Sequence, residues 1–256
     1  MKNYLCMDIG GTAMKCAVVN EEANILEQES IKTPSTLEDM YKTIQECFEG
    51  YQNYDLQGLA LSMPGAVDSD AGIIGGSSAI DYIHGPCIKD DLEKILKVPV
   101  EMENDANCAA LAEVWKGAGS DVDDCCFIVS GTGIGGAVVK NKRIHKGKHL
   151  HGGEFGYMIA DFDYDTKEIY FKAVDRYYWA MANGIYNLQY AYDPEKIIIG
   201  GAISVREDLL EEIQKRLDVI FANFTHAHIK PVVCTCTFHN EANLLGALYH
   251  LLTKNS

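Results

Sequence analysis

Two glycine-rich turns of the same construction constrain this chain more than any other feature. The first, Asp8-Ile9-Gly10-Gly11-Thr12-Ala13-Met14-Lys15, lies between the apolar runs Tyr4-Leu5-Cys6-Met7 and Ala17-Val18-Val19. The second, Ser130-Gly131-Thr132-Gly133-Ile134-Gly135-Gly136, lies between Cys125-Cys126-Phe127-Ile128-Val129 and Ala137-Val138-Val139. Glycines at a turn permit positive φ and a close backbone approach to a ligand. A plain glycine hairpin accounts for either turn alone. The first is tilted toward chemistry by Asp8 before it and by Thr12 and Lys15 after it. That set offers a carboxylate for a metal ion, and a hydroxyl and an ammonium for phosphate. It is not a Walker loop, because no G-x-x-x-x-G-K-[ST] run is present and a strand follows. Gly131, Gly133 and Gly136 satisfy G-x-G-x-x-G, a dinucleotide fingerprint that requires a helix next. Here a strand and the turn Asn141-Lys142 follow, so the Rossmann reading fails on context. Two such hairpins, each opening a β-rich region, imply an internal duplication whose glycines and threonines grip one polyphosphate from both sides.

The intervening pattern fits a mixed sheet with helical crossovers. Ile25 to Ile31 reads as a third strand, and Thr36 to Phe48 as a helix with Leu37, Met40, Ile44, Cys47 and Phe48 on one face. Gly58 to Met63 is an apolar strand ended by Pro64-Gly65, Asp68 to Gly76 a turn-rich loop, and Asp90 to Leu96 a short helix. A strand over Val98 to Met102 leads into Glu103-Asn104-Asp105-Ala106-Asn107 and an alanine-rich helix closing at Gly117. The order βββαβαβα results. Gly117 to Ser120 and the acidic run Asp121 to Asp124 mark the boundary between domains over 1–117 and 118–241, with a C-terminal helix over 242–256 expected to rejoin the first. Beyond it, Lys167 to Tyr192 favours one long helix or two abutting ones, their aromatics read as packing. Ile197 to Ile199 is a buried strand, Leu209 to Phe221 a helix, Val232-Val233 a last strand and Ala242 to Leu252 an apolar helix.

Asn104 and Asp105 sit where a strand hands over to a helix N-terminus, the place where open α/β sheets bind ligands. The alternative is that Asp105 is only an N-cap for that helix. His151-Gly152-Gly153-Glu154-Phe155-Gly156-Tyr157 is either a polar ligand contact or an ordinary tight loop. Gly200-Gly201, between a strand and a helix, makes a close-approach site for a flat ring or a phosphate. Cys234, Cys236 and His239 lack a second well-spaced pair, so they read as buried strand residues, and all nine cysteines as reduced thiols. The net charge of −15, from 37 acidic and 22 basic residues, disfavours nucleic-acid and anionic-membrane partners. An acidic chain binds phosphate through backbone N–H groups and a divalent cation. Met1-Lys2-Asn3-Tyr4 carries no signal-peptide pattern and no run approaches membrane-spanning length, so a cytoplasmic protein is expected.

With these pieces in place, the sequence resembles the ROK family, the sugar kinases and related repressors of the actin-like ATPase superfamily. The matching stretches are Asp8 to Thr12, Glu103 to Asn107, Gly131 to Gly136, Gly152 to Gly156 and Ile197 to Gly201, in family order along the chain. The resemblance implies two ribonuclease-H-like α/β domains with the active site in the cleft between them. ATP would be held by Gly10, Gly11, Thr12, Lys15, Gly131, Thr132 and Gly133, with adenosine near Gly200 and Gly201. A hexose would be bound by Asn104, Asp105 and Glu154, with Gly65 and His151 grouped beside them. Asp105 would be the catalytic base and Asp8 would look toward Mg2+. A helix N-terminus stabilises a carboxylate and weakens it as a base. Phosphoryl transfer tolerates this because its loose transition state asks mainly for positioning and charge neutralisation.

Two departures from the family pattern matter. Zinc-binding members carry a histidine where this chain has Tyr157, followed by a Cys-x-Cys-Gly-x-x-Gly-Cys cluster that is missing here, so no structural zinc is expected. The family segment between Asp165 and the long helix is also longer than here, so that either this segment is truly short or residues are missing at a seam between Thr166 and Asp175. The zinc-less pattern with Ser77-Ser78-Ala79-Ile80-Asp81-Tyr82-Ile83-His84-Gly85 looks like members acting on β-glucosides or N-acetylmannosamine. The expectation is an ATP-dependent kinase acting on a hexose hydroxyl, O6 of a glucose-type sugar or β-glucoside, in a homodimer. N-acetylmannosamine and fructose are the alternative substrates. A non-catalytic sugar sensor and an actin-like ATPase acting on proteins are the rivals, and the acidic charge disfavours the repressor branch.

Overall fold

The duplication implied by the glycine turns is written in the order of the strands. A computed structural model gives the architecture and describes residues 1–131, 133–158, 162–163, 168–169 and 174–254. The chain forms two units, one from residues 1–115, 147–151 and 240–256, the other from 116–146 and 152–239.

In the first unit β1 (Asn3–Ile9), β2 (Ala13–Asn20) and β3 (Ile25–Lys32) form an antiparallel meander. Helix α1 (Leu37–Gly50) crosses over to β4 (Leu56–Met63), which runs parallel to β1. The hairpin β5 (Ala66–Asp68) and β6 (Ile73–Gly75) and helix α2 (Ile88–Leu96) precede β7 (Val100–Asn104), parallel to β4. Helix α3 (Asp105–Lys116) follows β7 without a break. The sheet order is β3-β2-β1-β4-β7. Interior β4 is buried at every residue except Gln57, as a strand covered on both faces should be, whereas edge strand β3 shows charged Glu27 and Glu29 to solvent. Thr36 starts α1 with a reciprocal cap, its Oγ1 accepting from the Asp39 N–H at 3.1 Å and donating to Asp39 Oδ2 at 2.7 Å.

The second unit repeats the plan. Strands β8 (Cys125–Ser130), β9 (Ile134–Lys140) and β10 (Arg143–Ile144) form the meander. The short pair β11 (Phe162–Asp163) and β12 (Glu168–Ile169) precedes α4 (Val174–Tyr192). Parallel β13 (Lys196–Gly200), α5 (Leu209–Asn223) and β14 (Val233–Thr235) complete it, and the sheet order is β10-β9-β8-β13-β14. Asn141 and Lys142 take φ of 52° and 58°, the doubly left-handed turn that matches strand twist in a two-residue hairpin. Tyr178 is buried, and Tyr177, Trp179, Tyr186 and Tyr192 pack against the same apolar cluster, whereas Tyr190 is exposed. The chain ends in α6 (Ala242–Lys254), which lies against the first unit's sheet. A Cβ at Gly246 would stand 1.6 Å from the Cys108 carbonyl oxygen, so α6 meets α3 backbone to backbone.

Several expectations are corrected. The loop over Asp68 to Gly76 contains half of a hairpin, because Val67 and Ile74 are buried and pair across it. Glu168 and Ile169 are in a strand rather than at the head of a helix. Residues 202–205 form a 3-10 turn between Gly201 and α5. In the acidic run, Lys196 hydrogen-bonds Asp121 and Lys140 hydrogen-bonds Asp124, which holds both carboxyls below the usual range. Most of the suspected seam, at 166–167 and 170–173, lies outside the described residues.

Candidate active site

The junction of β7 and α3 is built from the motif outward. The side chain of Asn104 supplies the cap, its Oδ1 accepting from the N–H groups of Ala106 at 3.0 Å and Asn107 at 3.2 Å. Its Nδ2 donates to the Gly65 carbonyl at 3.0 Å, and Gly65 takes φ +96° to present that oxygen. The cap assigned to Asp105 therefore belongs to Asn104, because the β7 register with β4 pairs Asn104 with Met63 and starts the helix one residue later. Asp105 is the first helical residue and is exposed, with Oδ1 accepting from Ala106 N–H at 2.8 Å.

Below this junction lies a carboxylate to which the motif alone assigns no role. Glu103, 1% exposed, accepts through Oε1 from Asn104 N–H at 2.7 Å and Asn107 Nδ2 at 3.1 Å, and through Oε2 from Ser69 Oγ at 3.2 Å. His250 of α6 stands 3.8 Å from both Glu101 and Glu103, and Lys89 pairs with Glu101 at 2.7 Å. A buried carboxylate is tolerable only when hydrogen bonds replace its water, and the three to Glu103 do so. The available sequence signal was the spacing: Glu101 and Glu103 occupy alternate positions of a buried strand and so face the same side.

At the first turn, cross-strand register sets Asp8 opposite Lys15. Asp8 Oδ1 accepts from Ser62 Oγ at 2.9 Å and Asn243 Nδ2 at 3.0 Å, while Oδ2 lies 3.9 Å from Lys15 Nζ. Lys15 also donates to the Asn240 carbonyl at 2.9 Å. Ser62 and Asn243 are distant in sequence and gave no signal there. Neither Gly10 nor Gly11 adopts positive φ. Their requirement is steric instead, since a Cβ would meet the Ala13 carbonyl at 2.9 Å or the Ala79 methyl at 2.8 Å. Thr12 is exposed and its carbonyl accepts from Thr33 N–H at 3.1 Å.

The second turn is different. Gly131 N–H bonds the Gly133 carbonyl at 2.9 Å, and a Cβ at either glycine would meet open space. Thr132 lies outside the described residues. A cavity of about 530 Å³ is lined by Ser130, Gly131, Gly133, Glu154, Tyr157 and Tyr177, so one unit brings both turn glycines and the loop carboxylate together. Tyr177 OH donates to Ser130 Oγ at 2.9 Å on its wall.

The remaining candidates are tied to packing. Gly200 is needed because a Cβ would stand 2.6 Å from the Phe127 ring, and Gly201 takes φ +83° with the Ser130 carbonyl 2.4 Å from a Cβ. Exposed His151 sits with Nδ1 2.5 Å from the His149 carbonyl. Cys236 Sγ lies 3.6 Å from His239 Nδ1, and among the described residues this region gathers no group of three metal-ligating atoms.

Known proteins place this geometry in a family. The chain is 30% identical to a β-glucoside kinase of Listeria monocytogenes, covering 97% of both chains. That alignment runs over 292 positions, more than the 256 residues present, so the relative carries residues this chain lacks. It is 28% identical to a glucokinase of Halalkalibacterium halodurans, covering 84% of this chain and 85% of that one. Among solved structures it matches a ROK family protein of Streptococcus pneumoniae in complex with sucrose, at a TM-score of 0.87 and 33% identity over 99% of each chain. No helix among the described residues is long and apolar enough to cross a membrane. The family model described as the ROK family matches residues 4–169 and 164–254, two stretches that overlap at 164–169; matched from β1 to α6, the chain belongs to the ROK family.

Proposed function

We propose that this chain, an ATP-dependent sugar kinase with the two-domain actin-like fold of its family, transfers the γ-phosphate to the 6-hydroxyl of a glucose-type sugar, with a β-glucoside as its substrate. The observation that carries the reading is the division of labour at the head of α3. Asn104 caps the helix N-terminus with its own side chain, and beside it the Asp105 carboxylate is exposed at the first helical residue, where a sugar hydroxyl can reach it. Asp105 orients the attacking oxygen and takes its proton as the bond to phosphorus forms; the loose transition state needs little more from a base. Asn104 and Glu154 hold further sugar hydroxyls, with Gly65 and His151 beside them.

In this reading Gly10, Gly11, Thr12, Lys15, Gly131, Thr132 and Gly133 cradle the phosphates, and Gly200 and Gly201 border the nucleoside. Asp8 fits Mg2+: Oδ1 is taken by two hydrogen bonds, which leaves Oδ2 as a hard oxygen donor beside Lys15. When bound, the ion would neutralise charge developing on the phosphate oxygens. No zinc is proposed beside Tyr157, where the family's cysteine cluster is missing. The preference for a glucoside over N-acetylmannosamine or fructose rests on the 30% identical relative. A homodimeric state and a cytoplasmic location are part of the same reading, and a monomeric mass by light scattering would remove the dimer.

The test is ADP release over cellobiose and other β-glucosides, glucose, N-acetylmannosamine, fructose and mannose. The expected outcome is the highest kcat/KM with a β-glucoside. Highest turnover with N-acetylmannosamine or fructose would move the substrate. Sugar binding with no ADP release from any member of the panel would make the protein a sensor.

A further inference from the structure

Strand β2 alternates its side chains, so Lys15 on the turn side is followed by Cys16 on the opposite face. Cys16 is the Cα partner of Glu29 on β3, and α1 lays Cys47 over the same point. The two sulfurs and a Glu29 carboxylate oxygen all lie within 4.8 Å of one another. Cys16 is wholly buried and Cys47 nearly so, while Glu29 is exposed on the edge strand and opens the group to solvent. One turn beyond Cys47, Tyr51 OH donates to Glu29 Oε1 at 2.9 Å. That bond fixes the carboxylate over the sulfurs, as an outer partner does for a metal-ligating group.

The geometry points to a binding site for a thiophilic divalent cation of the Zn2+ class, with Cys16, Cys47 and Glu29 as ligands and water in the fourth position on the solvent side. Zn2+ takes thiolate and carboxylate donors at about 2.0–2.3 Å in a tetrahedron, which sets ligand atoms roughly 3.5–4 Å apart. The observed spacing therefore closes with small side-chain rotations. Two soft sulfurs select against Mg2+ and Ca2+, so the site does not compete for the cation of the kinase reaction. Binding replaces two S–H bonds by two metal–sulfur bonds and releases two protons to solvent. The site is distinct from the histidine–cysteine cluster missing after Tyr157, and none of its residues belongs to the proposed kinase machinery.

Co2+ added to reduced, metal-free, full-length protein is the probe. The expected result is a sulfur-to-cobalt charge-transfer band with the strong visible bands of a tetrahedral site. It should saturate at one equivalent, be displaced by one equivalent of Zn2+, and accompany release of two protons. C47S and C16S should abolish the charge-transfer band, E29Q should weaken binding about tenfold or more, and C87S should leave the spectrum unchanged. Because Cys16 is fully buried, C47S and E29Q decide the matter if C16S does not fold by circular dichroism. A spectrum without the band, or one undiminished in folded C47S, would make the pair neighbouring core thiols and nothing more.

Discussion

The two units share one strand order and treat their glycine turns in opposite ways. In the first, Gly10 and Gly11 are required by the protein's own atoms, and the polar groups around them are already engaged: Asp8 with Ser62 and Asn243, Lys15 with Asn240. In the second, Gly131 and Gly133 border open space and a cavity of about 530 Å³. The two units share a strand order but not the surroundings of their turns. One copy carries preorganised charge, and the other carries room. Where internal packing does not demand a glycine, its smallness serves whatever enters the space.

That contrast can be broken experimentally. Asp105→Asn keeps the shape at the head of α3 and removes the carboxylate proposed as the base. Turnover should fall by about three to four orders of magnitude with sugar binding retained by calorimetry, and a near-normal kcat would return Asp105 to a structural residue. Asp8→Asn keeps an oxygen to accept from Ser62 and Asn243 but loses the charge. We expect kcat to drop on the order of 100-fold, with a steeper Mg2+ dependence in steady-state assays. Glu103→Gln keeps an oxygen to accept from Asn104 N–H and Asn107 Nδ2, but puts an NH2 group where Oε2 accepts from Ser69 Oγ and removes a buried charge. This should cost about 1–3 kcal/mol in urea unfolding and slow turnover through Asn104 more than it changes ATP affinity. The smallest effect sharpens the comparison most. Gly131→Ala should leave stability within about 0.5 kcal/mol yet raise the KM for ATP. Gly11→Ala, forced against Ala79, should destabilise by about 1–3 kcal/mol. Equal stability losses at the two positions would remove the distinction between the turns.

Much of this was legible in the sequence because the strongest signals were local. Apolar runs flanking glycines gave the strands of both meanders, and the strand Ala137-Val138-Val139 with the turn residues Asn141-Lys142 after it excluded a nucleotide-binding helix after Gly136. The hairpin around Asp70 was missed because Asp68, Asp70, Gly72 and Gly75 are all turn formers, which hid two single buried residues, Val67 and Ile74. Asn104 and Asp105 are equally good cap residues, so propensity could not choose between them; the pairing of Asn104 with Met63 decides it. Partners such as Ser62, Asn243 and His250 come from distant segments and could not be found by spacing.

The position of α6 has a consequence for how the molecule comes into being. Its Asn243 binds Asp8, its Gly246 lies on Cys108 and its His250 stands between Glu101 and Glu103, all partners made early by the ribosome. At roughly 5–20 residues per second, the whole second unit must be synthesised first, a delay on the order of ten seconds. Throughout it the nascent first sheet lacks the helix that covers one of its apolar faces and closes its polar network. The second unit is complete earlier and free to fold while the first waits. A circular permutant that begins with α6 would abolish the delay, and faster acquisition of protease resistance during translation would be its signature.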